Sequence, residues 1–397
     1  MNRTLLASAA ALALTAGMAA AQSEPVKIGV VLGFTGPLES LAPTMAAGAE
    51  KAMNEVNEAG GLLDGTQVES VRADSTCIDA AAATAATERL ITTDGVAGIV
   101  GADCSGVTGA MLANVALPNG VVMVSPSATS PGLTTAEDNG LFFRTAPSDA
   151  RQGEIVTDIL MENGVQEIAI TYTNNDYGKG LADAIEANFT EAGGTVTISA
   201  AHEDGRADYS SEVGALSAAG GEVLVVAGYV DQGGSGIVRA ALDTGAFDTF
   251  YFPDGMVSQA LEDNFGSEID GSYGANPGTD SPGAQLYQEM ATAADFDGTQ
   301  PFSAEAYDAA ALIMLAMQAA GSTDPQVYKD SLMDVANAPG EEILPGELGR
   351  ALELLAAGED VDYVGASAVE LIGPGESAGN YRQITFEDGV LTVVGFR

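Results

Sequence analysis

Hydroxyl-bearing and small residues are concentrated in three segments that directly follow apolar runs. The segments span residues 33–38, 101–106 and 125–131. Hydroxyl groups and free backbone N–H groups at the start of a helix are suited to binding a carboxylate. The alternative is purely local: Ser105 would be a helix N-cap, and the third segment would be a turn. The pattern indicates candidate anion-binding loops and leaves the local alternative open.

A different chemistry is available in the middle of the chain. Tyr177, Tyr229 and Asp254 each follow an apolar run closely. Two aromatic rings and a carboxylate can hold an apolar body and an ammonium group. The alternative is that Asp254 and the glycine after it form an ordinary turn and that the tyrosines cover the edge of a sheet.

Cofactor signatures are missing from the sequence. It contains no G-x-G-x-x-G and no P-loop motif. The single histidine, His202, precedes a polar Glu-Asp-Gly run, and we expect it in a solvated loop. Asp295 and Asp297 resemble the start of a calcium loop, but its twelfth position is Ala306 instead of Glu. We therefore expect a binding protein, not an enzyme such as a dehydrogenase, with no cofactor and no metal.

The elements that must position these residues alternate between strand-like and helix-like patterns. Continuous apolar strands between helices are typical of parallel sheets covered on both faces, so the pattern predicts an α/β fold of two doubly wound parallel-sheet units. Residues after about 280 are mostly helix-like, with a buried helix at 309–317 and a hairpin at 381–396. The predicted strands are 27–32, 68–73, 96–100, 121–124, 168–172, 196–200, 223–227 and 250–252.

Three polar or Gly/Pro-rich segments separate these blocks, at residues 145–149, 274–280 and 375–380. Small residues and turns of this kind can absorb a hinge rotation, so the segments are candidate crossings between the two units. The alternative is that they are three surface loops.

Charge excludes several classes of partner. The 397 residues include 14 Lys plus Arg against 56 Asp plus Glu, a formal net charge of −42. A phosphate polymer or an anionic membrane surface would be repelled, so we expect no nucleic-acid partner.

The first residues have the pattern of a cleaved signal peptide. Asn2 and Arg3 precede an uncharged apolar run at 5–18, and three alanines at 19–21 satisfy the small-residue cleavage rule before Gln22. A membrane anchor is the alternative, but the run is too short to span a bilayer. Export to an oxidising compartment favours a disulfide between Cys77 and Cys104 over two free thiols.

Taken together, the ordered motifs resemble a known family. The sequence is similar to the type I periplasmic solute-binding proteins of branched-chain (leucine/isoleucine/valine) amino-acid ABC transporters, over nearly the whole chain after the signal peptide. The motifs that produce the resemblance lie at residues 28–37, 48–61, 99–105, 125–131, 143–145, 176–178 and 306–309.

The resemblance implies two lobes joined by a hinge of three crossings. After a signal peptide at 1–21, the N-terminal lobe would comprise residues 22–147 plus 277–378. The C-terminal lobe would comprise residues 148–276 plus 379–397. The family is periplasmic and monomeric, and it delivers its ligand to an inner-membrane ABC permease without inserting into the membrane.

The resemblance also assigns roles within a cleft between the lobes. Ser105 and Thr129 would bind the α-carboxylate of an amino acid. The carbonyl of Ser127 or Ala128, together with Thr129 and Asp254, would bind the α-ammonium. Tyr177 and Tyr229 would pack on the ligand, and Cys77 and Cys104 match the bridge that the family has near this site.

Two departures from the family pattern concern the ligand. The class commonly has Glu where this chain has Asp254, and residues 38–43 contain Glu39 but no aromatic residue. An amino acid with a branched-chain or hydrophobic side chain is the first expectation. The alternatives are another small solute, such as an amide, urea or an aromatic acid, and a soluble co-receptor for a sensor.

Overall fold

The computed structural model describes residues 24–63 and 65–397. The predicted signal peptide at 1–21 lies outside these residues. In chain order the strands are β1 Val26–Leu32, β2 Val68–Asp74, β3 Gly98–Gly101, β4 Met123–Ser125, β5 Phe142–Pro147, β6 Glu167–Thr173, β7 Thr195–His202, β8 Val223–Ala227, β9 Phe250–Phe252, β10 Tyr273–Pro277, β11 Glu341–Ile343, β12 Val361–Tyr363, β13 Leu371–Ile372, β14 Glu376–Ser377, β15 Tyr381–Glu387 and β16 Val390–Phe396.

The α-helices fill most of the segments between the strands. They are α1 Ala42–Glu58, α2 Ala80–Arg89, α3 Ser105–Met111, α4 Leu117–Asn119, α5 Pro131–Thr134, α6 Asp149–Glu162, α7 Asp176–Glu191, α8 Ser210–Ala219, α9 Gly233–Thr244, α10 Gln259–Phe265, α11 Pro282–Ala293, α12 Ser303–Ala320, α13 Pro325–Tyr328, α14 Leu332–Val335 and α15 Leu348–Ala357.

Two seven-stranded sheets form the centres of two α/β units. The first has the order β13-β14-β5-β4-β3-β1-β2, and the second has the order β16-β15-β10-β9-β8-β6-β7. The central strands pair in parallel, as β1 does with β2 and β3. Ile28, Val30 and Val31 of β1 are fully buried, as a strand covered on both faces requires. The predicted α/β fold with two doubly wound sheets is therefore confirmed.

The C-terminal third also follows the predicted pattern. Helix α12 contacts α1, and its residues 309–317 are all fully buried. Strands β15 and β16 form the predicted antiparallel hairpin, with Glu387 opposite Val390. Within the described part of the chain, no helix combines the length and the apolarity needed to cross a bilayer.

Strands β5 and β10 were not predicted. Their sequences, FFRTAP and YGANP, are less continuously apolar than those of the other central strands. Asn276 of β10 is nevertheless buried, with its amide nitrogen donating to the Pro277 carbonyl at 2.7 Å, and Arg144 of β5 is buried because it forms an ion pair with Glu376 of β14 at 2.5 Å. A paired charge on the neighbouring strand thus replaces the apolar residue that the pattern would need.

The chain crosses between the two sheets three times. The crossings lead from β5 to α6, from β10 to α11 and from β14 to β15. Each crossing lies within or beside one of the three segments predicted as hinges. The exact lobe boundaries after residues 147, 276 and 378 stay a prediction.

Candidate functional site

The loops at the carboxyl ends of β3, β4, β6, β8 and β9 meet between the two sheets. Five of the seven predicted binding residues line one small cavity there, of about 10 Å³. Such a volume holds about one water molecule. The five residues are Ser105, Ser127, Tyr177, Tyr229 and Asp254.

Hydroxyl groups form the first-lobe wall of this cavity. Ser105 is the first residue of α3, and its Oγ accepts a hydrogen bond from the Ser130 N–H at 3.1 Å. Its own proton therefore stays available to an acceptor in the cavity. The Ser127 hydroxyl instead donates to the backbone carbonyl of Asp103 at 3.0 Å, so its side chain holds the loop in place.

The other two predicted residues, Ala128 and Thr129, lie fully buried beside the cavity. The Ala128 carbonyl accepts a hydrogen bond from Nη1 of Arg144 at 3.0 Å, and the same nitrogen donates to the Ser130 carbonyl. The Thr129 carbonyl accepts from the Asp149 N–H at 2.8 Å. The guanidinium and the crossing into α6 thus fix the shape of this loop.

Two stacked tyrosines and a carboxylate form the second-lobe wall. The rings of Tyr177 and Tyr229 lie with their centroids 5.1 Å apart and their planes 13° from parallel. The Tyr177 hydroxyl donates to Oδ1 of Asp254 at 2.6 Å, and the Gly255 N–H donates to the same oxygen at 2.7 Å. Any side chain at Gly255 would meet the Tyr177 hydroxyl at 2.7 Å, so glycine permits this contact.

The start of α7 explains how Tyr177 reaches this position. Asn175 caps the helix, and its Oδ1 accepts from the Gly178 N–H at 3.0 Å. A Cβ atom at Gly178 would lie 2.3 Å from the Thr173 carbonyl oxygen. Glycine therefore allows the first turn of α7 to pack directly on the end of β6, beside the cavity.

Two buried carboxylates lie close together at this wall. Oδ2 of Asp254 and both carboxylate oxygens of Asp149 make no hydrogen bond of ordinary geometry, and the described residues provide no ion-pair partner for either group. Burial raises the pKa of both carboxyl groups, and the charge of Asp254 raises that of Asp149 further. The Thr129 hydroxyl and Arg144 lower the pKa of Asp149 only in part. The site therefore has a deficit of positive charge.

Asp149 was missed because its segment was interpreted only as a hinge. It is the first residue of α6, after the N-cap Ser148. Asp103 was also missed, although it lies in a predicted loop. Its carboxylate accepts from the Gly33 N–H at 2.8 Å and from the Ser75 hydroxyl at 3.1 Å. It thereby joins the loops that follow β1, β2 and β3, and burial raises its pKa.

Leu38 and Phe302 complete the cavity with apolar surface. Leu38 lies in a predicted loop. Phe302 was missed, because it lies far along the chain from the other residues and immediately before a helix. Its backbone has a φ of 64°, in the left-handed region, and its side chain is buried.

Direct hydrogen bonds join the two lobes across the rim of the cavity. The Ser40 N–H donates to Oδ2 of Asp231 at 2.8 Å, and the Asp231 N–H donates to the Pro37 carbonyl at 3.2 Å. We call this pair of contacts the rim latch. With the latch formed and a cavity of about 10 Å³, the lobes must move apart before a solute larger than water can enter.

Two predictions concern residues away from the cavity. The expectation of a solvated loop for His202 was wrong: the ring is buried at the end of β7, with Nδ1 2.9 Å from the Thr171 hydroxyl. Burial lowers its pKa to about 4. Strand β7 continues to His202 beside β6, which places the ring inside. The Sγ atoms of Cys77 and Cys104 lie 2.00 Å apart, at disulfide-bonding distance, with Cα atoms separated by 5.2 Å.

Comparisons with known proteins agree with the geometry. A family model described as periplasmic binding protein matches residues 25–345. The Leu/Ile/Val-binding protein homolog 3 of Brucella melitensis is 32% identical over 327 residues, which cover 82% of this chain and 87% of that protein. The leucine-, isoleucine-, valine-, threonine- and alanine-binding protein of Pseudomonas aeruginosa is 28% identical over 313 residues, covering 78% and 82%.

Solved structures share the fold. The branched-chain amino acid transporter substrate-binding protein LivJ from Streptococcus pneumoniae, in complex with isoleucine, superposes with a TM-score of 0.76 at 23% identity, covering 94% of this chain and 99% of that one. A solute-binding protein of an ABC transporter from R. palustris, in complex with benzoate, superposes with a TM-score of 0.75 at 18% identity, covering 94% and 96%.

Proposed function

Because this chain belongs to the periplasmic binding protein family, we propose that it is the solute receptor of an ABC importer and binds an amino acid with an apolar side chain between its lobes. The observation that supports the ligand class is the pair of buried carboxylates, Asp149 and Asp254, which lack a cation within hydrogen-bonding distance. An α-ammonium group would supply the missing positive charge and the missing donors.

The ammonium end of the ligand is assigned to the second-lobe wall. Oδ2 of Asp254 would accept one N–H, because Oδ1 is already held by Tyr177 and Gly255. Asp149, which lies close to Asp254 but outside the cavity lining, would attract the ammonium group through its charge. Since the Ala128 carbonyl is occupied by Arg144, we assign the remaining backbone contact to the Ser127 carbonyl.

The carboxylate end is assigned to the first-lobe wall. The Ser105 hydroxyl and the N-terminal N–H groups of α3 are donors on one side of the cavity, whereas the Thr129 hydroxyl, which was also predicted for this end, interacts with Asp149. A zwitterion would therefore contact donors on one lobe and acceptors on the other. Such a ligand favours the closed state through contacts that the open state cannot make.

The side chain of the ligand would face an apolar surface. Leu38 and Phe302 from the first lobe and the stacked rings of Tyr177 and Tyr229 from the second supply this surface. An aliphatic side chain such as that of leucine, isoleucine or valine would pack on it. A carboxylate ligand without an ammonium group would leave Asp149 and Asp254 uncompensated, which disfavours an aromatic acid.

The remaining features of the proposal concern the setting. The protein would be exported by residues 1–21, function in the periplasm as a monomer with the Cys77–Cys104 disulfide formed, catalyse no reaction, and present its closed form to an inner-membrane permease.

Calorimetric titration of the purified chain tests the ligand assignment with three matched probes. Leucine contains both charged ends, 4-methylpentanoate lacks the ammonium and 3-methylbutylamine lacks the carboxylate. We expect binding of leucine, with each truncated probe at least tenfold weaker.

Variants identify the residues responsible. Asp254→Asn should weaken leucine binding by one to two orders of magnitude, while Asp243→Asn on the exposed end of α9 should not change it. If 4-methylpentanoate bound as tightly as leucine, or if Asp254→Asn bound leucine like the unaltered protein, the ammonium site would be wrongly assigned. Binding of benzoate alone would support the aromatic-acid alternative.

A further inference from the structure

A second cavity, of about 500 Å³, lies beside the crossings between the lobes. This volume is within the range of about 300–1,000 Å³ typical of small-molecule sites. Phe302 separates the second cavity from the small one described above, because it lines both. We call the second cavity the hinge cavity.

Arg382 of β15 supplies the only arginine of the hinge cavity, and its partners are unusual for this protein. Of the nine arginines in the described ranges, eight have a carboxylate within 4 Å, and Arg382 does not. The charges of Glu305 and Asp297 act on this guanidinium from beyond 4 Å and raise its pKa, but neither carboxylate forms an ion pair with it. Burial is nevertheless extensive enough to lower its pKa overall.

Neutral oxygen atoms hold the guanidinium in place. Nη1 donates to the Thr299 carbonyl at 3.0 Å, while Nε and Nη2 donate to Oδ1 of Asn276 at 3.4 and 3.3 Å. A guanidinium has five N–H groups, so the three bonds leave one N–H on each terminal nitrogen for another acceptor. Two such N–H groups suit the two oxygens of a carboxylate.

The rest of the lining is compatible with an anion that has an apolar body. Val393 and Phe302 contribute apolar surface to the lining, and Gln288 and Thr299 contribute neutral polar groups. Glu305 is the one acidic side chain in the lining, and burial raises its pKa to about 7. A large share of Glu305 is therefore neutral at neutral pH, which reduces its repulsion of a bound anion.

We propose that the hinge cavity is a second binding site, for a small organic carboxylate with an apolar body, in which Arg382 pairs with the carboxylate. The cavity is formed by β10, β15 and β16 of one lobe and by α11 and α12 of the other. Its occupant would contact both lobes, so its binding would be coupled to closure of the cleft. This inference does not depend on the ligand of the interlobe cleft.

Fluorine NMR titration with 4-fluorobenzoate tests the site in the unaltered protein and in matched variants. We expect saturable binding, weakened about tenfold or more in Arg382→Gln because a charge-assisted bidentate contact is lost. Arg239→Gln is the control, since Arg239 is ion-paired with Glu268 on another surface. Val393→Trp should also weaken binding, because Val393 is exposed at the cavity mouth and an indole there would fill the space.

Each outcome decides the proposal. If Arg382→Gln does not fold, Val393→Trp provides the same test without removing the charge. Absence of saturable binding by the unaltered protein overturns the proposal. So does binding that Arg382→Gln and Val393→Trp leave unchanged. Binding that is lost in Thr129→Ala but kept in Arg382→Gln belongs to the interlobe cleft and overturns it as well.

Discussion

Removing one hydroxyl group, by Tyr177→Phe, should weaken ligand binding without disturbing the fold. The hydroxyl donates to Oδ1 of Asp254 at 2.6 Å, and a hydrogen bond to a charged group is worth about 1.5–3 kcal/mol. The Gly255 N–H still donates to the same oxygen at 2.7 Å, so the loss of binding free energy should be near the lower end of this range. At about 1.4 kcal/mol per factor of ten, we expect affinity for leucine to fall about tenfold.

The same change should shift the pH dependence of binding. The hydrogen bond from Tyr177 lowers the pKa of Asp254, which burial raises. Without that bond the carboxyl group takes up a proton at higher pH, and a neutral carboxyl group no longer attracts an ammonium ion. As pH is lowered, the affinity for leucine should therefore begin to fall at a higher pH in Tyr177→Phe than in the unaltered protein.

Calorimetric titration of leucine at several pH values measures both effects. Tyr172→Phe, on β6 of the same sheet, is the control because it removes a hydroxyl outside the cavity lining. The stacking with Tyr229 is retained in Tyr177→Phe, so the thermal unfolding midpoint should change little. Unchanged affinity and an unchanged pH profile in Tyr177→Phe would show that Asp254 does not meet the ligand as a positioned carboxylate.

Two further predictions concern stability. Because burial lowers the pKa of His202 from 6.5 to about 4, the unfolded chain binds a proton between these pH values that the folded chain does not, and the free energy of unfolding should fall by about 3 kcal/mol in total as pH falls through that range. Denaturant unfolding of His202→Gln should therefore show a weaker pH dependence in that range. An NMR titration of the single imidazole should give a pKa near 4, and a midpoint near 6.5 would contradict the burial argument. Replacing Cys77 and Cys104 together by serine should lower the free energy of unfolding by about 3.5 kcal/mol in the chain-entropy model. Adding reductant to the unaltered protein should lower the free energy of unfolding by the same amount. No change on reduction would mean that the two thiols are unpaired.

The fold and much of the candidate site could be predicted, because the order of strands along the chain in a parallel α/β sheet indicates which loops lie next to one another. The carboxyl ends of the strands lie at one edge of each sheet, so Ser105, Ser127, Tyr177, Tyr229 and Asp254 meet once the strands are found. Local sequence is sufficient for that step, because each of these residues follows its own apolar strand.

The residues that were missed reach the site by other routes. Asp149 arrives through a crossing between the lobes, and Phe302 precedes a helix far along the chain. Asp149 follows β5, a strand that was not predicted because its sequence is less continuously apolar, and Phe302 follows no strand, so periodicity gives no signal for either residue. His202 was misplaced for a related reason: the polar residues after it resemble a loop, whereas pairing of β7 with β6 extends the strand to the histidine itself.

The rim latch has a consequence for how selective this receptor can be. Ser40, Pro37 and Asp231 interact with one another and not with the cavity, so their contribution to closure is the same for every solute and for the empty cleft. The latch thus raises the population of closed receptor without helping it to distinguish one solute from another. Weakly held solutes then reach the closed shape more readily, and so do empty receptors, which compete with loaded ones for the same permease. Loosening the rim latch would narrow the range of solutes taken up and would reduce the competition of empty receptors for the permease.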